Sequence, residues 1–362
     1  MNDVAWMRRA LALAEGGRYS AAPNPLVGCV LVRAGAVVGE GYHRRAGEGH
    51  AEVNALLEAG PRARGATAYV TLEPCAHHGR TPPCTQALIG AGVARVVAAM
   101  QDPNPQVAGK GLALLRAAGI AVECGLLADE AAALNPGFIK RMQTGRPHVR
   151  VKMAQSLDGR SALADGESRW ITGPAARADV QRWRARSQAI LTGIGTVLAD
   201  DPQLTVRLPG IDYQPLRVVL DSDLALPPTA RLLQEPGDTL VATCQADAPQ
   251  AAALAAAGAQ LLTLPRGAGG VDLGALLEEL GRRQCNEVLV EAGPRLAGAF
   301  LAAGLADELI VYIAPHLLGH DARPAFELPP VARMQARLDL EPLDVLSFGP
   351  DLRLRLRPAA RT

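Results

Sequence analysis

Aromatic side chains are scarce in this chain of 362 residues, where phenylalanine, tryptophan and tyrosine together make up 3%. Net charge is also small, because 37 Lys and Arg face 36 Asp and Glu, which leaves +1. Proteins that bind nucleic acids rely on basic surface and on aromatic rings that stack against bases. The sequence has little of either, so we expect a small-molecule substrate and no nucleic-acid partner.

Long apolar runs are missing as well. No stretch approaches the roughly 20 residues of a membrane-spanning helix, and the nearest, 251–264, is predicted to be an alanine-rich helix followed by a short strand. The N-terminal segment carries Arg8, Arg9 and Glu15 and lacks the apolar core and cleavage site of a signal peptide. We therefore expect a cytoplasmic protein with no membrane partner.

Cysteine is sparse, with six residues in the chain. A cytosolic chain of this length needs no disulfides, so we expect none. Four cysteines lie singly in or beside apolar runs and are predicted to be small core residues: Cys29, Cys124, Cys244 and Cys285.

The other two cysteines belong to a metal-binding pattern. It begins Gly49-His50-Ala51-Glu52 and ends with Pro74-Cys75 and Cys84. His-x-Glu followed by Pro-Cys and a further Cys is the signature of zinc deaminases. One imidazole and two thiolates hold zinc and leave its fourth position for water, whose pKa falls to roughly 7. We therefore predict His50, Cys75 and Cys84 as ligands and Glu52 as the catalytic group that moves protons to the departing ammonia.

Eight residues separate Cys75 from Cys84, a departure from the Cys-x-x-Cys spacing of many nucleoside deaminases. A longer loop between ligands costs little closure entropy, and Pro82-Pro83 stiffens the approach to Cys84. The alternatives are a closed zinc knuckle or a chance cluster. A knuckle needs a fourth protein ligand and has no use for Glu52.

Residues 74–84, Pro-Cys-Ala-His-His-Gly-Arg-Thr-Pro-Pro-Cys, are similar to a loop of the pyrimidine deaminase of bacterial riboflavin biosynthesis. This resemblance implies that the substrate is a phosphorylated pyrimidine, and that its contacts are Asn24, His43, His77, Arg80 and Thr81. Asn24 is implied to receive the pyrimidine edge, although asparagine is also an ordinary turn residue. Arg80 suits a phosphate, since a guanidinium can bind phosphate oxygens in pairs.

Apolar spacing and turn residues predict alternating helices and strands in the first part of the chain. The predicted helices are 4–15, 51–59 and 85–91, and the predicted strands are 27–32, 37–42, 68–72, 93–100 and 121–124. Such alternation indicates a sheet with helices packed on it. The resemblance implies an α/β fold whose N-terminal domain is the cytidine-deaminase-like three-layer α/β/α type.

The polar segment 143–148 contains Gly145 and Pro147 and separates two patterns. We therefore assign a zinc-dependent deaminase domain to 1–145 and a second domain to 146–362. Residues 154–160 and 168–173 resemble the start of the reductase of the same pathway, which implies a dihydrofolate-reductase-like α/β domain. The main predicted elements there are helices 174–186 and 273–282, strands at 149–153, 188–192, 216–220, 239–243, 260–264, 287–290 and 308–314, and closing antiparallel strands at 337–346 and 352–356. The arginines of helix 174–186 are expected to lie on a solvated face: Arg177, Arg182, Arg184 and Arg186.

The run Gly193-Ile194-Gly195 follows a predicted strand but is not a Rossmann fingerprint, because Leu198 replaces the third glycine. Small residues there still let backbone N–H groups approach a diphosphate. Residues 193–207 are similar to the cofactor and substrate loop of the reductase. The resemblance implies NADP contacts at Ala154, Trp170, Thr196, Asp200, Ser222, Gly293, Pro294, Arg295, Leu296, Ala297, Gly298 and Ala299, and substrate contacts at Ser168, Arg184, Leu204, Arg207 and Glu291.

The similarity extends over nearly the whole chain and identifies it as a member of the bifunctional deaminase and reductase family of riboflavin biosynthesis. It implies zinc-dependent removal of the 2-amino group of 2,5-diamino-6-(5-phosphoribosylamino)pyrimidin-4(3H)-one, then NADPH-dependent reduction of the ribose to ribityl. Lys152, Asp200 and Glu291 are the polar residues expected near the reduced carbon, and a homo-oligomer is expected from the family. One alternative is a zinc deaminase with a non-catalytic, oligomerising second domain. An enzyme that edits tRNA or DNA is disfavoured by the composition.

Overall fold

The computed structural model describes residues 2–76, 83–105, 107–245 and 249–359. Two compact units make up the chain, Met1–Arg146 and Pro147–Thr362. In the ranges that the structure describes, no helix has the length and apolar character needed to cross a membrane.

The first unit contains a five-stranded sheet. Its strands are β1 (Gly28–Arg33), β2 (Ala36–Tyr42), β3 (Thr67–Val70), β4 (Arg95–Ala98) and β5 (Ala121–Cys124), in the order β2-β1-β3-β4-β5. β1 is antiparallel to both of its neighbours, and β3, β4 and β5 are parallel. The helices are α1 (Asp3–Ala14), α2 (Ala51–Ala59), α3 (Cys84–Gly90), α4 (Lys110–Ala117), α5 (Ala128–Leu134) and α6 (Pro136–Thr144).

Helices cover both faces of this sheet, which makes three layers. Successive β1 side chains point to opposite faces, so Leu31 joins the core under α2, α3 and α4, while Val30 joins the core under α1 and α5. Glycines in β2 let α2 approach closely: a Cβ on Gly39 would lie 2.3 Å from Ala55 O, and one on Gly41 would lie 2.4 Å from Ala51 O. The close packing holds the first turn of α2, with Glu52, against the sheet.

The second unit is built on a nine-stranded sheet in the order β11-β10-β9-β8-β14-β6-β15-β18-β17. The strands are β6 (His148–Ser156), β7 (Arg160–Ala162), β8 (Ala189–Gly193), β9 (Leu216–Leu220), β10 (Thr239–Thr243), β11 (Ala259–Thr263), β12 (Arg266–Gly267), β13 (Gly270–Val271), β14 (Glu287–Glu291), β15 (Glu308–Ala314), β16 (Arg323–Pro324), β17 (Leu340–Phe348) and β18 (Asp351–Pro358). β18 and β17 are antiparallel additions to an otherwise parallel sheet, and β12–β13 and β7–β16 form two small pairs.

Helices lie on both faces of the second sheet too. They are α7 (Pro174–Arg186), α8 (Ile194–Asp200), α9 (Arg231–Gln234), α10 (Pro249–Ala256), α11 (Leu273–Arg282) and α12 (Pro294–Ala302). Along β14, Val288 and Val290 join the core that contains α11 and α12, whereas Leu289 packs against α7. The parallel strands end at one edge, where open α/β sheets bind their ligands.

The predicted elements named above are confirmed to within two to three residues at most ends. Three expectations were wrong. Residues 194–200, expected to belong to a loop, form α8, because the apolar Ile194 and Val197 pack into the core beside β9 and β10. Cys124 is exposed at the end of edge strand β5 rather than in the core. The arginines of α7 are not all solvated, since Arg184 and Arg186 are largely buried by ion pairs.

Candidate active sites

Three predicted metal ligands meet in the first unit. His50 Nδ1 lies 3.2 Å from Cys84 Sγ and 3.6 Å from Cys75 Sγ. The three donor atoms all lie within 4.8 Å of one another. With Zn–N near 2.0 Å and Zn–S near 2.3 Å, the edges of a tetrahedral zinc site are about 3.6 and 3.8 Å. The donor set and its spacing therefore fit a zinc ion with three protein ligands.

Each ligand is carried by the end of an element. His50 is the N-cap of α2 and Cys84 is the first residue of α3, while Cys75 lies in the segment after β3. The backbone N–H of Cys84 donates to Cys75 Sγ at 3.3 Å. Thr85 donates to Cys75 O from its backbone N and its hydroxyl, each at 3.2 Å. These contacts fix Cys75 to the start of α3.

Electrostatics favour a thiolate and a proton carrier in this cluster. A hydrogen bond from the Cys84 thiol, aided by the His50 ring, lowers the pKa of Cys75 to about 4. Glu52 lies in the first turn of α2, next to Cys84, and its side chain is buried. Burial raises the pKa of Glu52 to about 7, although its hydrogen bonds and the nearby His50 oppose the shift. A carboxyl group of this kind can both take up and release a proton near neutral pH.

Asn24 and His43 form a hydrogen-bonded chain beside the cluster. His43 Nδ1 lies 3.2 Å from Gly49 O, which can only accept, so Nδ1 carries the proton. Burial lowers the pKa of His43, and in the neutral ring Nε2 then accepts from Asn24 Nδ2 at 3.0 Å. The Asn24 side-chain NH₂ group is therefore bonded to His43. The structure brings these two predicted substrate contacts together and next to His50, whose ring centroid is 5.3 Å from that of His43.

Three other predicted substrate contacts, His77, Arg80 and Thr81, lie outside the described residues.

A second charged cluster lies at the ends of the parallel strands in the second unit. Glu291 at the end of β14 is in register with Lys152 on β6. Arg184 of α7 donates to both carboxylate oxygens of Glu291, at 2.5 and 2.9 Å, and to Thr205 O at 3.0 Å. Burial acts to raise the pKa of Glu291, but Arg184 and Lys152 hold it below its usual value. Burial lowers the pKa of Lys152.

Arg184 and Arg207, both predicted as substrate contacts, have different surroundings. Arg184 is 12% exposed at its side chain and is engaged with Glu291. Arg207 donates to the neutral oxygens of Gln203 and Thr205, and its pKa is lowered by burial and by Arg184. Arg184 is thus paired with a carboxylate, whereas the hydrogen bonds of Arg207 named here go only to neutral oxygens.

The predicted cofactor loop is the start of α12. Gly293 is its N-cap, and the Gly293 N–H donates to Thr196 Oγ1 at 3.2 Å, which joins α8 to α12. The first turn of a helix offers free N–H groups to an anion. Ala297 and Gly298 are further along the helix and buried; a Cβ on Gly298 would lie 1.9 Å from Glu327 O. Because Pro294 has no N–H and the Gly293 N–H is used by Thr196, Arg295 and Leu296 are the residues of this turn whose N–H groups the helix pattern leaves for an anion. The rest of the segment packs into the core.

The remaining predicted contacts lie around the same edge of the sheet. Asp200 ends α8 and faces Arg169, and the exposed Trp170 ring is covered by the Arg177 guanidinium 4.4 Å from its centroid. Ser222 follows β9, and its hydroxyl accepts from Val271 N at 3.0 Å. Three more stay predictions without a diagnostic contact: Ala154 on β6, the half-buried Ser168, and Leu204, which is buried and has φ +52°.

Two buried residues that shape the first site were not predicted from the sequence. Asn135 binds the backbone of Leu26 through both amide atoms, at 2.7 and 2.8 Å, and so holds the segment that carries Asn24. Glu73, two residues before Cys75, is buried and accepts four backbone hydrogen bonds. A signal for Glu73 was present, namely a carboxylate in an otherwise apolar strand end directly before Pro74-Cys75.

Both units match known protein families. Residues 1–100 match the family described as the cytidine and deoxycytidylate deaminase zinc-binding region, and residues 147–354 match the RibD C-terminal domain. The predicted folds of the two units are thereby confirmed.

Whole-chain relatives give the same result. The chain is 54% identical to riboflavin biosynthesis protein RibD of Escherichia coli (98% of this chain, 99% of that protein) and 48% identical to that of Haemophilus influenzae (98% and 97%). An Acinetobacter baumannii RibD structure is 51% identical, with 99% of both chains covered and a TM-score of 0.91. A Thermotoga maritima structure described as a diaminohydroxyphosphoribosylaminopyrimidine deaminase/5-amino-6-(5-phosphoribosylamino)uracil reductase is 34% identical, with 99% of both chains covered and a TM-score of 0.88. The family predicted from the sequence is confirmed: this chain belongs to the RibD family of riboflavin biosynthesis proteins, which join a zinc-binding deaminase domain to a reductase domain.

Proposed function

We propose that this chain catalyses two successive steps of riboflavin biosynthesis, with the deaminase site in residues 1–145 and the reductase site in 146–362. The first step would convert 2,5-diamino-6-(5-phosphoribosylamino)pyrimidin-4(3H)-one to 5-amino-6-(5-phosphoribosylamino)uracil and ammonia, and the second would reduce the ribose of that uracil to ribityl. The observation that carries the first assignment is the cluster of His50, Cys75 and Cys84 beside the buried Glu52. Similarity to RibD proteins over nearly the whole chain supports both assignments.

In the deaminase, His50, Cys75 and Cys84 would hold zinc, which supplies a Lewis acid that makes water reactive at neutral pH. Glu52 would take the proton from the attacking water at its carboxylate. It would pass that proton to the pyrimidine ring nitrogen as the bond from the water oxygen to C2 forms. It would then take the remaining proton of the new hydroxyl group and give it to the amino group, so that the C–N bond breaks, a carbonyl forms and ammonia leaves. Asn24, oriented by His43, would bind the pyrimidine edge with its amide oxygen.

In the reductase, NADPH would supply the hydride, and the first turn of α12 with Thr196 would bind its phosphates. We propose that Lys152 gives a proton from Nζ to the nitrogen of the ring-opened, imine-like substrate as C1′ is reduced. Burial lowers its pKa, which eases loss of that proton. Glu291 would bind a ribose hydroxyl, Arg207 would bind the substrate phosphate, and Asp200 would lie near the cofactor.

The alternative of a non-catalytic second unit is not favoured. Residues 147–354 match the reductase-domain family, and that unit keeps a buried Lys152, Glu291 and Arg184 cluster at the strand ends. A purely structural domain has no need of such a cluster, because buried charges are costly unless they are paired or used.

We further propose that the chain forms a homo-oligomer in the cytoplasm. The edge strand β17 and its neighbour β18 expose apolar side chains at Leu340, Leu343, Val345, Leu346 and Leu352. An edge strand with exposed apolar side chains favours association with another strand. A site with two thiolate ligands needs reduced cysteines, which the cytosol maintains.

A coupled assay tests the two activities together. Purified, zinc-loaded protein receives the diaminopyrimidine phosphoriboside and NADPH, and ammonia release and NADPH absorbance are followed in parallel. We expect ammonia first and NADPH loss second. Ammonia without NADPH loss would overturn the reductase assignment, and neither signal would overturn the substrate assignment.

A further inference from the structure

Glu73 has a buried carboxylate that the two proposed reactions do not use. It stands two residues before the ligand Cys75, in the segment that leads out of β3, and it is 4% exposed. A buried carboxylate is costly unless hydrogen bonds replace the water that it loses. The partners of Glu73 therefore indicate what it stabilises.

Those partners are four backbone N–H groups around the start of α4. Oε1 accepts from Gly111 at 2.8 Å and from Leu112 at 3.3 Å, in the first turn of the helix. Oε2 accepts from Gly109 at 2.9 Å and from Asp102 at 3.1 Å, in the loop between β4 and α4. An ionised carboxylate accepts at both oxygens, whereas an amide accepts at only one and donates at the other. The arrangement specifically requires a carboxylate.

The backbone beside Cys75 packs directly on the same helix start. A Cβ added to Gly111 would lie 2.0 Å from Pro74 O, and the Glu73 N–H donates to Met100 O at 2.9 Å. On its other side, Cys75 is held to α3 through Thr85. Cys75 thus lies between two helix starts, one joined to it through Thr85 and the other through Glu73 and Pro74.

We propose that Glu73 is a positioning residue for the metal site. Its carboxylate holds the Cys75 segment against α4, so that Cys75 Sγ keeps the position in which it binds zinc together with His50 and Cys84. The inference rests on the proposed deaminase function, and adds to it a residue that sets metal affinity without touching metal or substrate. Outer contacts that orient metal ligands typically change metal affinity by about 10- to 100-fold when they are removed.

The test is zinc binding by full-length Glu73→Gln protein. The metal is stripped, and zinc is titrated against a chromophoric chelator; cobalt is then bound in its place and the visible thiolate spectrum is recorded. We expect the zinc dissociation constant to rise about 10- to 100-fold and the cobalt spectrum to change. NADPH oxidation with supplied aminouracil substrate should stay at the wild-type rate, because the reductase unit has its own core.

Glu58→Gln is the matched control. The Glu58 carboxylate also accepts a backbone N–H, from Glu40 at 2.9 Å, but it lies on the exposed side of α2. This variant should bind zinc within about twofold of wild type.

Glu73→Gln protein that is folded and binds zinc like wild type, with an unchanged cobalt spectrum, would overturn the positioning role alone. A purely structural role would lower the melting temperature and leave both metal readouts unchanged. Wild-type protein that binds no zinc would overturn the deaminase assignment and this inference together. Should Glu73→Gln not fold, Glu73→Asp keeps the charge and withdraws the carboxylate from the four N–H groups by one methylene, and wild-type zinc affinity with an unchanged cobalt spectrum in that variant would also overturn the proposal.

Discussion

At the scale of single residues, two buried glutamates near one metal cluster have opposite surroundings. Glu73 accepts four backbone N–H groups and is fully engaged. Glu52 is equally buried but faces the cluster, and its burial raises its pKa to about 7. The same side chain is thus a fixed acceptor in one place and, in the proposed deamination, a proton carrier in the other.

Replacement of Glu52 by Gln should remove the proton carrier and leave the ligands in place. We expect ammonia release to fall by about 10²- to 10⁴-fold, the usual contribution of a general acid or base. The measurement is the steady-state rate of ammonia release, with zinc content checked by atomic spectroscopy. NADPH oxidation on supplied aminouracil substrate serves as the internal control. Full ammonia release with zinc bound would refute the role of Glu52.

Arg184 is a predicted substrate contact that also has a charged partner within the protein. The resemblance implied a substrate contact, and the structure adds a two-bond ion pair with Glu291. A planar guanidinium makes such a pair, whereas an ammonium makes only a point contact.

The substitution Arg184→Lys should therefore loosen Glu291 while keeping the charge. We expect kcat/KM of NADPH oxidation to fall about 10²-fold, as for a misplaced catalytic group. Arg182→Lys on the same helix is the matched control and should have no effect, since Arg182 is 64% exposed. Equal reductase activity in the two variants would contradict the orienting role of Arg184.

At the scale of elements, a buried network of ion pairs joins strands and a helix of the second unit. Arg150 on β6 pairs with Glu287 on β14 at 2.6 Å and with Glu308 on β15 at 3.0 Å. Arg186 of α7 binds Glu287, and Arg355 of β18 binds Glu308. One arginine and its two carboxylates therefore connect three central strands with a helix and a fourth strand.

This network predicts a loss of stability in acid. Burial alone would raise the pKa of Glu287, but Arg150 and Arg186 lower it to about 2. The pKa of Glu308 is also lowered. A carboxyl whose folded-state pKa lies below its unfolded value of about 4.3 stabilises the folded protein when the pH is above 4.3. That stabilisation is lost as the pH falls toward 2, and for Glu287 the loss in the free energy of unfolding is about 3 kcal/mol. Urea unfolding at pH 5 and pH 3, followed by the fluorescence of Trp183 in a protein whose Trp6 and Trp170 are replaced by Phe, measures the effect. Stability that stays level between these pH values would contradict it.

The edge strand β17 gives a prediction about assembly. Val345 is 56% exposed on this strand, and an arginine there should repel a second apolar edge. We expect Val345→Arg to shift the chain to a smaller species in sedimentation velocity with both activities kept. Leu57→Arg, at a position 76% exposed on α2, is the control and should leave the sedimentation coefficient unchanged. Wild-type sedimentation of Val345→Arg would exclude this edge as the interface.

At the scale of the whole molecule, each unit has its own apolar cores and its own candidate site. The candidate zinc ligands lie in the first unit, and the Lys152 and Glu291 cluster lies in the second. The two activities should therefore respond separately to metal removal.

Stripping zinc with dipicolinate should abolish ammonia release and leave NADPH oxidation on supplied aminouracil substrate unchanged. Added zinc should restore ammonia release, which controls for irreversible damage. Parallel loss of both activities on chelation would contradict the assignment of the metal to the deaminase alone.

Much of this protein could be predicted from sequence because its signals are local. The spacing of His50, Cys75 and Cys84, the helix that begins after His50, and the alternation of strands and helices all depend on neighbouring residues. Prediction failed where packing decides: α8 forms at 194–200 because its apolar residues find a core, and Arg186 is buried because Glu287 lies beside it. Neither partner is near in the sequence.

The sequence by itself determined the family, the ligand types and the order of the two units, since these depend on residue identity and spacing. Only the tertiary structure decided which charges face one another: Arg184 with Glu291, Glu73 with the start of α4, and Arg150 with Glu287 and Glu308. These partners are 38 to 158 residues apart along the chain. Hydrogen bonds and ion pairs act over a few ångströms, so contacts between distant residues exist only once the sheets have brought them together.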